Sequence, residues 1–171
     1  AGIKVAESAA KQLKRVHLEL GGKAPVVVFA DADLAAAAEA IAVAGYFNAG
    51  QDCTAATRVI VQDSVYDQFV ALITEQAKQI AIGAPADEDV FLGPVNNVNQ
   101  LARITDLLSR VPAHAQVMTG GSALDRPGFF FPATVIAGLQ QSDELIQKEI
   151  FGPVITVQKF SDEAQAVAMA N

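Results

Sequence analysis

The sequence contains a single cysteine, Cys53, set in the run Asn48-Ala49-Gly50-Gln51-Asp52-Cys53-Thr54. Gly50 can admit a turn there, and the small neighbours leave the sulfur approachable, a placement that suits a nucleophile. A lone cysteine is more often a small buried hydrophobe, so context has to decide. Glu19 supplies part of that context, because it interrupts an apolar stretch immediately before Gly21-Gly22. A strand end at that point can present a carboxylate to a cleft, as a general base requires; the competing reading is a solvated carboxylate on an exposed strand face. His17 shares the face and reads as a structural residue. His114, in a loop after Pro112, reads as exposed. In Lys148-Glu149-Ile150-Phe151-Gly152-Pro153 an acidic residue and an aromatic ring stand two positions apart before a Gly-Pro turn. Such a turn can aim both at one ligand, although Glu149 as a surface charge and Phe151 as core is the plainer reading of that stretch alone.

Several other chemistries find no support. One cysteine and two distant histidines do not make a zinc site of the usual spacing. There is no Gly-x-Ser-x-Gly elbow and no Gly-x-x-x-x-Gly-Lys loop. A formal charge of −7 and a pI near 4.7 oppose nucleic acid or an anionic membrane as a partner. The longest run of bulky apolar residues, Val26 to Phe29, is far below the roughly 20 residues of a membrane-spanning helix. One cysteine excludes an internal disulfide framework and suits a reducing compartment, and the expected location is the cytoplasm.

These residues need elements to hold them. Val16, Leu18 and Leu20 alternate with His17 and Glu19, the period of a strand. Gly21 and Gly22 break it, and Pro25 introduces a Val26–Ala30 run of the kind found in a strand buried on both sides. Asp31 and Asp33 offer caps for an alanine-rich helix from Leu34 to about Phe47. A strand over Arg58–Gln62 leads to a helix capped by Ser64, with Val65, Phe69, Leu72, Ile73 and Ile80 on one face. Leu101, Ile104, Leu108 and Val111 mark a further helix stopped by Pro112. Strands follow at Gln116–Met118, Pro132–Ile136 and Val154–Phe160, with another helical pattern from Ser161. Strands separated by helices at these spacings predict an α/β domain with a largely parallel sheet and flanking helices.

Taken together, the three stretches resemble the aldehyde dehydrogenase family. Glu19-Leu20-Gly21-Gly22-Lys23 is similar to its glutamate signature, Phe47 through Cys53 to its cysteine signature, and Glu149-Ile150-Phe151-Gly152-Pro153 to its cofactor-side signature. Their order and separations also match. The resemblance implies that residues 1–15 are the end of a cofactor-domain helix and residues 16–171 a catalytic domain truncated at both ends. The cofactor's phosphate-binding turn and an oxyanion-hole amide would then lie upstream of Ala1, and subunit-joining strands beyond Asn171. On that footing the isolated chain is expected not to turn over aldehyde, and the parent protein to be a homo-oligomer.

The resemblance also implies roles. Cys53 attacks an aldehyde carbon, hydride passes to NAD or NADP, and Glu19 activates the water that hydrolyses the thioester. Glu149 holds the nicotinamide ribose, Phe151 packs near the nicotinamide ring and the Leu20 backbone lies beside its carboxamide. The acidic residue before the cysteine makes the stretch most similar to enzymes acting on 4-aminobutyraldehyde. A non-catalytic relative with the same fold is the alternative, and the intact Cys53, Glu19 and Glu149 argue against it.

Overall fold

The computed structural model describes all residues from Ala1 to Asn171. Five strands form one sheet in the order β1-β2-β5-β4-β3: β1 Pro25–Val28, β2 Arg58–Gln62, β3 Gln116–Thr119, β4 Thr134–Ala137 and β5 Val154–Phe160. β1, β2, β5 and β4 run parallel, and β3 closes one edge antiparallel to β4 with a register shift between Val117 and Thr119. The helices are α1 Gly2–Ala10, α2 Leu34–Tyr46, α3 Tyr66–Gln79, α4 Val98–Leu108, α5 Glu144–Gln147 and α6 Glu163–Ala170. This is the α/β, largely parallel architecture the sequence pattern predicts.

The centre of the sheet follows from strands rich in β-branched apolar residues. In β2, Val59, Ile60 and Val61 are fully buried, as are Val154, Ile155 and Val157 in β5, the signature of strands covered on both faces. One main core packs α2, α3 and α4 against the sheet, and a smaller cluster of Ile60, Phe160 and Ala166 lies under α6. Asp33 caps α2 by accepting from the amides of Ala35 and Ala36, both at 3.1 Å. Gly45 brings α2 close to β5, since a Cβ there would sit 2.8 Å from Ile155 Cδ1. The hydroxyl of Tyr66 in α3 takes the Gly138 amide at 2.8 Å and donates to Val157 O at 3.3 Å, tying α3 to the end of β4 and the middle of β5.

Four expectations need correction. Residues 14–24 carry no strand, and Val16, Leu18 and Leu20 are exposed. Alternation assigns side chains to two faces, but a strand also needs a neighbour to take its amides and carbonyls, and this stretch has none. β1 is an edge strand, so only Val28 is buried while Val26 and Val27 are half-buried. Ser64 does not cap α3, because Asp63–Val65 forms a 3₁₀ turn and the first helical residue follows Val65. α5 was not expected at all; one turn of helix is too short to show a period. No helix is long and apolar enough to cross a membrane.

Candidate active site

The sheet order explains why three distant stretches meet. β1, β2 and β5 are adjacent and parallel, so the loops leading into them emerge on the same edge. Glu19 lies in the loop before β1, Cys53 in the loop before β2 and Glu149 in the loop before β5. The residues therefore gather at the N-terminal ends of the strands. Open parallel sheets usually bind ligands at the opposite, carboxyl ends, so Glu19 is presented by a lead-in loop and not by the strand end expected of it.

Cys53 is reached through a tight reversal. After α2 the chain passes through Asn48 (φ 50), Ala49 (φ 56) and Gly50 (φ 68), three consecutive left-handed residues of which two carry side chains. Each such non-glycine residue costs about 1–2 kcal/mol, so neighbouring contacts must hold the turn. Asn48 Nδ2 donates to Gln51 O at 3.0 Å and Gln51 Nε2 returns to Asn48 O at 3.1 Å. Gln51 Oε1 accepts from the Asn96 amide at 2.8 Å. Asp52 Oδ1 then accepts from the Thr54 amide at 2.7 Å and the Thr54 hydroxyl at 2.8 Å, which holds its carboxyl below the usual carboxylate range. Cys53 emerges exposed and free.

The third loop clamps the other two. Glu149 Oε1 accepts from the Gly22 amide at 3.2 Å, and a Cβ on Gly21 would fall 2.6 Å from the Glu149 carboxyl carbon. A Cβ on Gly50 would overlap the Gly152 carbonyl and lie 2.9 Å from Pro153 N. Only glycines let these backbones approach so closely. Phe151 is itself left-handed, at φ 57. Its loop is held from α4, where Gln100 Nε2 donates to Ile150 O at 3.0 Å and to Phe151 O at 2.7 Å. Arg103 donates to Ile150 O at 2.5 Å and also to Glu149 O. Sequence reasoning missed Gln100 and Arg103. Their three-residue spacing puts them on one helix face, but nothing in the sequence names main-chain carbonyls as their targets.

Glu19, Leu20, Gly21, Cys53, Glu149 and Phe151 line one cavity of about 290 Å³. The five residues singled out in the sequence thus share a single hollow. Leu20 turns its side chain onto Gly2 of α1, where a Cβ would lie 2.9 Å from Leu20 Cδ2. Larger hollows exist, of about 490 Å³ along α1 and about 600 Å³ beside α6, but neither is lined by a cysteine. His17 Nε2 hydrogen-bonds Glu19 Oε1, whereas His114 lies elsewhere, paired with Asp143 at 2.9 Å. Lys23 is half-buried, but its amino group is wholly buried and has no hydrogen-bond partner. Burial pushes its pKa down to about 7, with the Arg58 charge adding to the shift and Glu149 opposing it. An exposed thiol, a carboxylate able to take a proton and a second carboxylate beside an aromatic ring can together support covalent catalysis followed by water attack.

The model of the aldehyde dehydrogenase family matches residues 1–171. Lactaldehyde dehydrogenase of Escherichia coli is 40% identical over 173 residues, covering 100% of this chain and 36% of the relative. Its crystal structure superposes with a TM-score of 0.96 at 39% identity, over 99% of this chain and 36% of the other. A betaine aldehyde dehydrogenase from Staphylococcus aureus, solved in complex with NAD+, gives a TM-score of 0.95 at 36% identity over 99% of this chain and 35% of its own. The chain spans about a third of the length of the curated relatives it matches. With the match running from Ala1 to Asn171 and three signature loops meeting at one cavity, the chain belongs to the aldehyde dehydrogenase family.

Proposed function

We propose that this chain is the catalytic part of an NAD(P)-dependent aldehyde dehydrogenase that oxidises an aldehyde to a carboxylic acid through a thioester on Cys53. The observation that carries the reading is the shared cavity, in which Cys53 and Glu19 stand with Glu149 and Phe151. Residues 1–15 are read as the end of a cofactor-domain helix and 16–171 as the catalytic domain. The isolation of α1 supports this, since only Gly2 of that helix is buried.

Cys53 as thiolate adds to the aldehyde carbon, and its own backbone N–H is one donor for the oxyanion that forms. A bound nicotinamide supplies the hydride acceptor. Its fit rests on the Glu149 carboxylate, which can accept from ribose hydroxyls, on the Phe151 ring and on the Leu20 backbone, left along the cavity by a side chain packed on Gly2. Structures of similar enzymes with NAD+ support NAD, while a relative named for NADP(+) keeps both cofactors in view. Glu19 then deprotonates the water that attacks the thioester, so the product is a free acid. A relative passing its acyl group to a thiol carrier needs no such base.

For the substrate we propose 4-aminobutyraldehyde or a similar aminoaldehyde, with Asp52 providing negative charge next to the thiol. Asp52 spends one oxygen on Thr54, which fixes its carboxylate near Cys53 while leaving it ionised. Relatives named for lactaldehyde, betaine aldehyde and succinate semialdehyde show how widely the family ranges. The same reading makes the full protein a cytoplasmic homo-oligomer. It also predicts that this chain alone gives no turnover, because the cofactor's phosphates and adenosine would be held elsewhere in the protein.

The test is single-turnover kinetics in the full-length protein. Cys53→Ala abolishes oxidation, by roughly 10⁴-fold or more. Glu19→Gln retains the first burst of reduced cofactor and slows release of acid. Substantial steady-state oxidation by Cys53→Ala contradicts the assignment.

A further inference from the structure

One polar side-chain atom is buried without a hydrogen-bond partner, the amino nitrogen of Lys23. Native proteins rarely leave such a group unanswered, so it needs a reason. Stability does not supply one, because burial disfavours the ammonium and the Arg58 charge adds to the penalty. Residues outside this chain do not supply one either. The nitrogen is already sealed by the chain's own atoms, so a group from elsewhere in a longer protein reaches it only by displacing them. Its neighbours follow from the sheet. Lys23 stands two residues before Pro25, which pairs with Arg58 at the start of β2, and next to Gly22, whose amide donates to Glu149 Oε1 at 3.2 Å. Arg58 and Glu149 are the charged groups that act on the amine, and Glu149 is the anion of the two.

The Glu149 carboxylate is lightly held. Its bond from Gly22 is long for a charged acceptor, and Arg103 donates to the main-chain oxygen of Glu149 and not to its side chain. The carboxylate lies so close on Gly21 that a Cβ there would overlap Oε2. We infer that Lys23 is a positioning residue for the cofactor end of the site, its buried charge drawing the Glu149 carboxylate onto the Gly21-Gly22 backbone and keeping it there for ribose hydroxyls. This rests on the role proposed for Glu149 and adds the group that holds it. Lys23 itself does not line the cavity; the other titratable groups that do are Glu19 and Cys53. The attraction lasts only while the amine carries its proton, and burial brings the loss of that proton down to about 7. The seat is therefore firm below pH 7 and loosens above it. By reciprocity, a cofactor that prefers the seated carboxylate raises the proton affinity of Lys23 when it binds.

The test titrates the full-length protein with NADH and NADPH, whose reduced ring carries no charge, and follows their fluorescence across pH. Wild-type affinity for the preferred cofactor is expected to fall roughly fivefold as pH rises through about 7. Lys23→Met keeps the length of the side chain without its charge, and should bind at the weaker level throughout, with no step near pH 7. Glu149→Gln should weaken binding and remove the step, and adding Lys23→Met to it should change nothing further, as for two residues acting through one contact. Calorimetry of the unaltered protein, in buffers of different ionisation enthalpy slightly above pH 7, should show a fraction of a proton taken up on binding, a readout that stands even if a variant fails to fold. Wild-type affinity and pH step in Lys23→Met overturn the inference and leave an amine satisfied by a trapped water. Weaker binding with the step retained also overturns it, since that marks packing and not charge, as does calorimetry that finds no proton uptake. Glu149→Gln separates the two readings: weakened binding there with an unaffected Lys23→Met defeats Lys23 alone, whereas undiminished binding in Glu149→Gln defeats the role of Glu149 and the inference with it.

Discussion

The edge of the sheet and its interior are built on opposite principles. Inside, β2 and β5 pair in register from Arg58↔Thr156 to Gln62↔Phe160, and their apolar side chains are fully buried. Even the interior cation is answered, with Arg58 donating to Gln158 at 3.4 Å, to Gln141 at 3.2 Å and to Met169 O. At the N-terminal edge of the same strands, three of the four left-handed non-glycine residues cluster in the loops around the cavity. Glycines there stand backbone to backbone, and a buried amino group goes without a partner. The interior is regular because it only has to be stable. The edge carries strain because thiol, base and second carboxylate must come from three separate loops.

The comparison predicts that the edge resists an added methyl more than the interior resists losing one. Gly50→Ala forces a Cβ into the Gly152 carbonyl at φ 68, and should cost roughly 2–4 kcal/mol from overlap and left-handed strain. Ile155→Val in the middle of β5 should cost about 1 kcal/mol. Thermal unfolding of the two variants checks the ranking. Equal shifts would remove the distinction.

An effect of similar size, but one that depends on pH, concerns Lys23. Unfolded, this lysine keeps its proton up to 10.5, but folded it does so only up to about 7. Between those values the unfolded chain binds more protons, so this group's penalty grows as pH falls from 10.5 to 7 and is constant below. Lys23→Met removes it. The variant should exceed the wild type by on the order of a few kcal/mol at pH 6 to 7 and by nothing at pH 10.5 and above. Urea unfolding across that range measures the difference, and a pH-independent gap would mean that the amino group finds a partner.

The smallest effect is on selectivity. Asp52→Asn keeps the oxygen that Thr54 uses, so the turn and the thiol's position should survive. Only the charge is lost. Specificity for 4-aminobutyraldehyde over an uncharged aldehyde of equal length should fall a few-fold, as for an exposed ion pair. An unchanged ratio leaves Asp52 as a turn residue alone.

The same contrast governs what could be read in the sequence. The sequence reading of β2 and β5 matches the observed bounds, Arg58–Gln62 and Val154–Phe160, because clusters of β-branched residues that follow turn-forming stretches have few alternatives. Val16–Leu20 misled because its alternation is real but unpaired; a ladder partner is a tertiary fact that one strand's pattern does not carry. Cys53, Glu19, Leu20, Glu149 and Phe151 were legible as chemistry, and their meeting follows from β1, β2 and β5 being neighbours. The supports were not legible. Gln100 and Arg103 act on backbone carbonyls, and the burial of Lys23 depends on packing, neither of which leaves a local pattern.

The central claim is that these three loops form one covalent site, and the acyl group itself is its most direct witness. Full-length Glu19→Gln protein, mixed with an aldehyde and NAD or NADP and quenched within one turnover, can be digested and its peptides weighed. The account predicts an acyl mass on the peptide carrying Cys53, which decays more slowly than in the wild type. An unmodified Cys53 peptide alongside stoichiometric formation of reduced cofactor would contradict it.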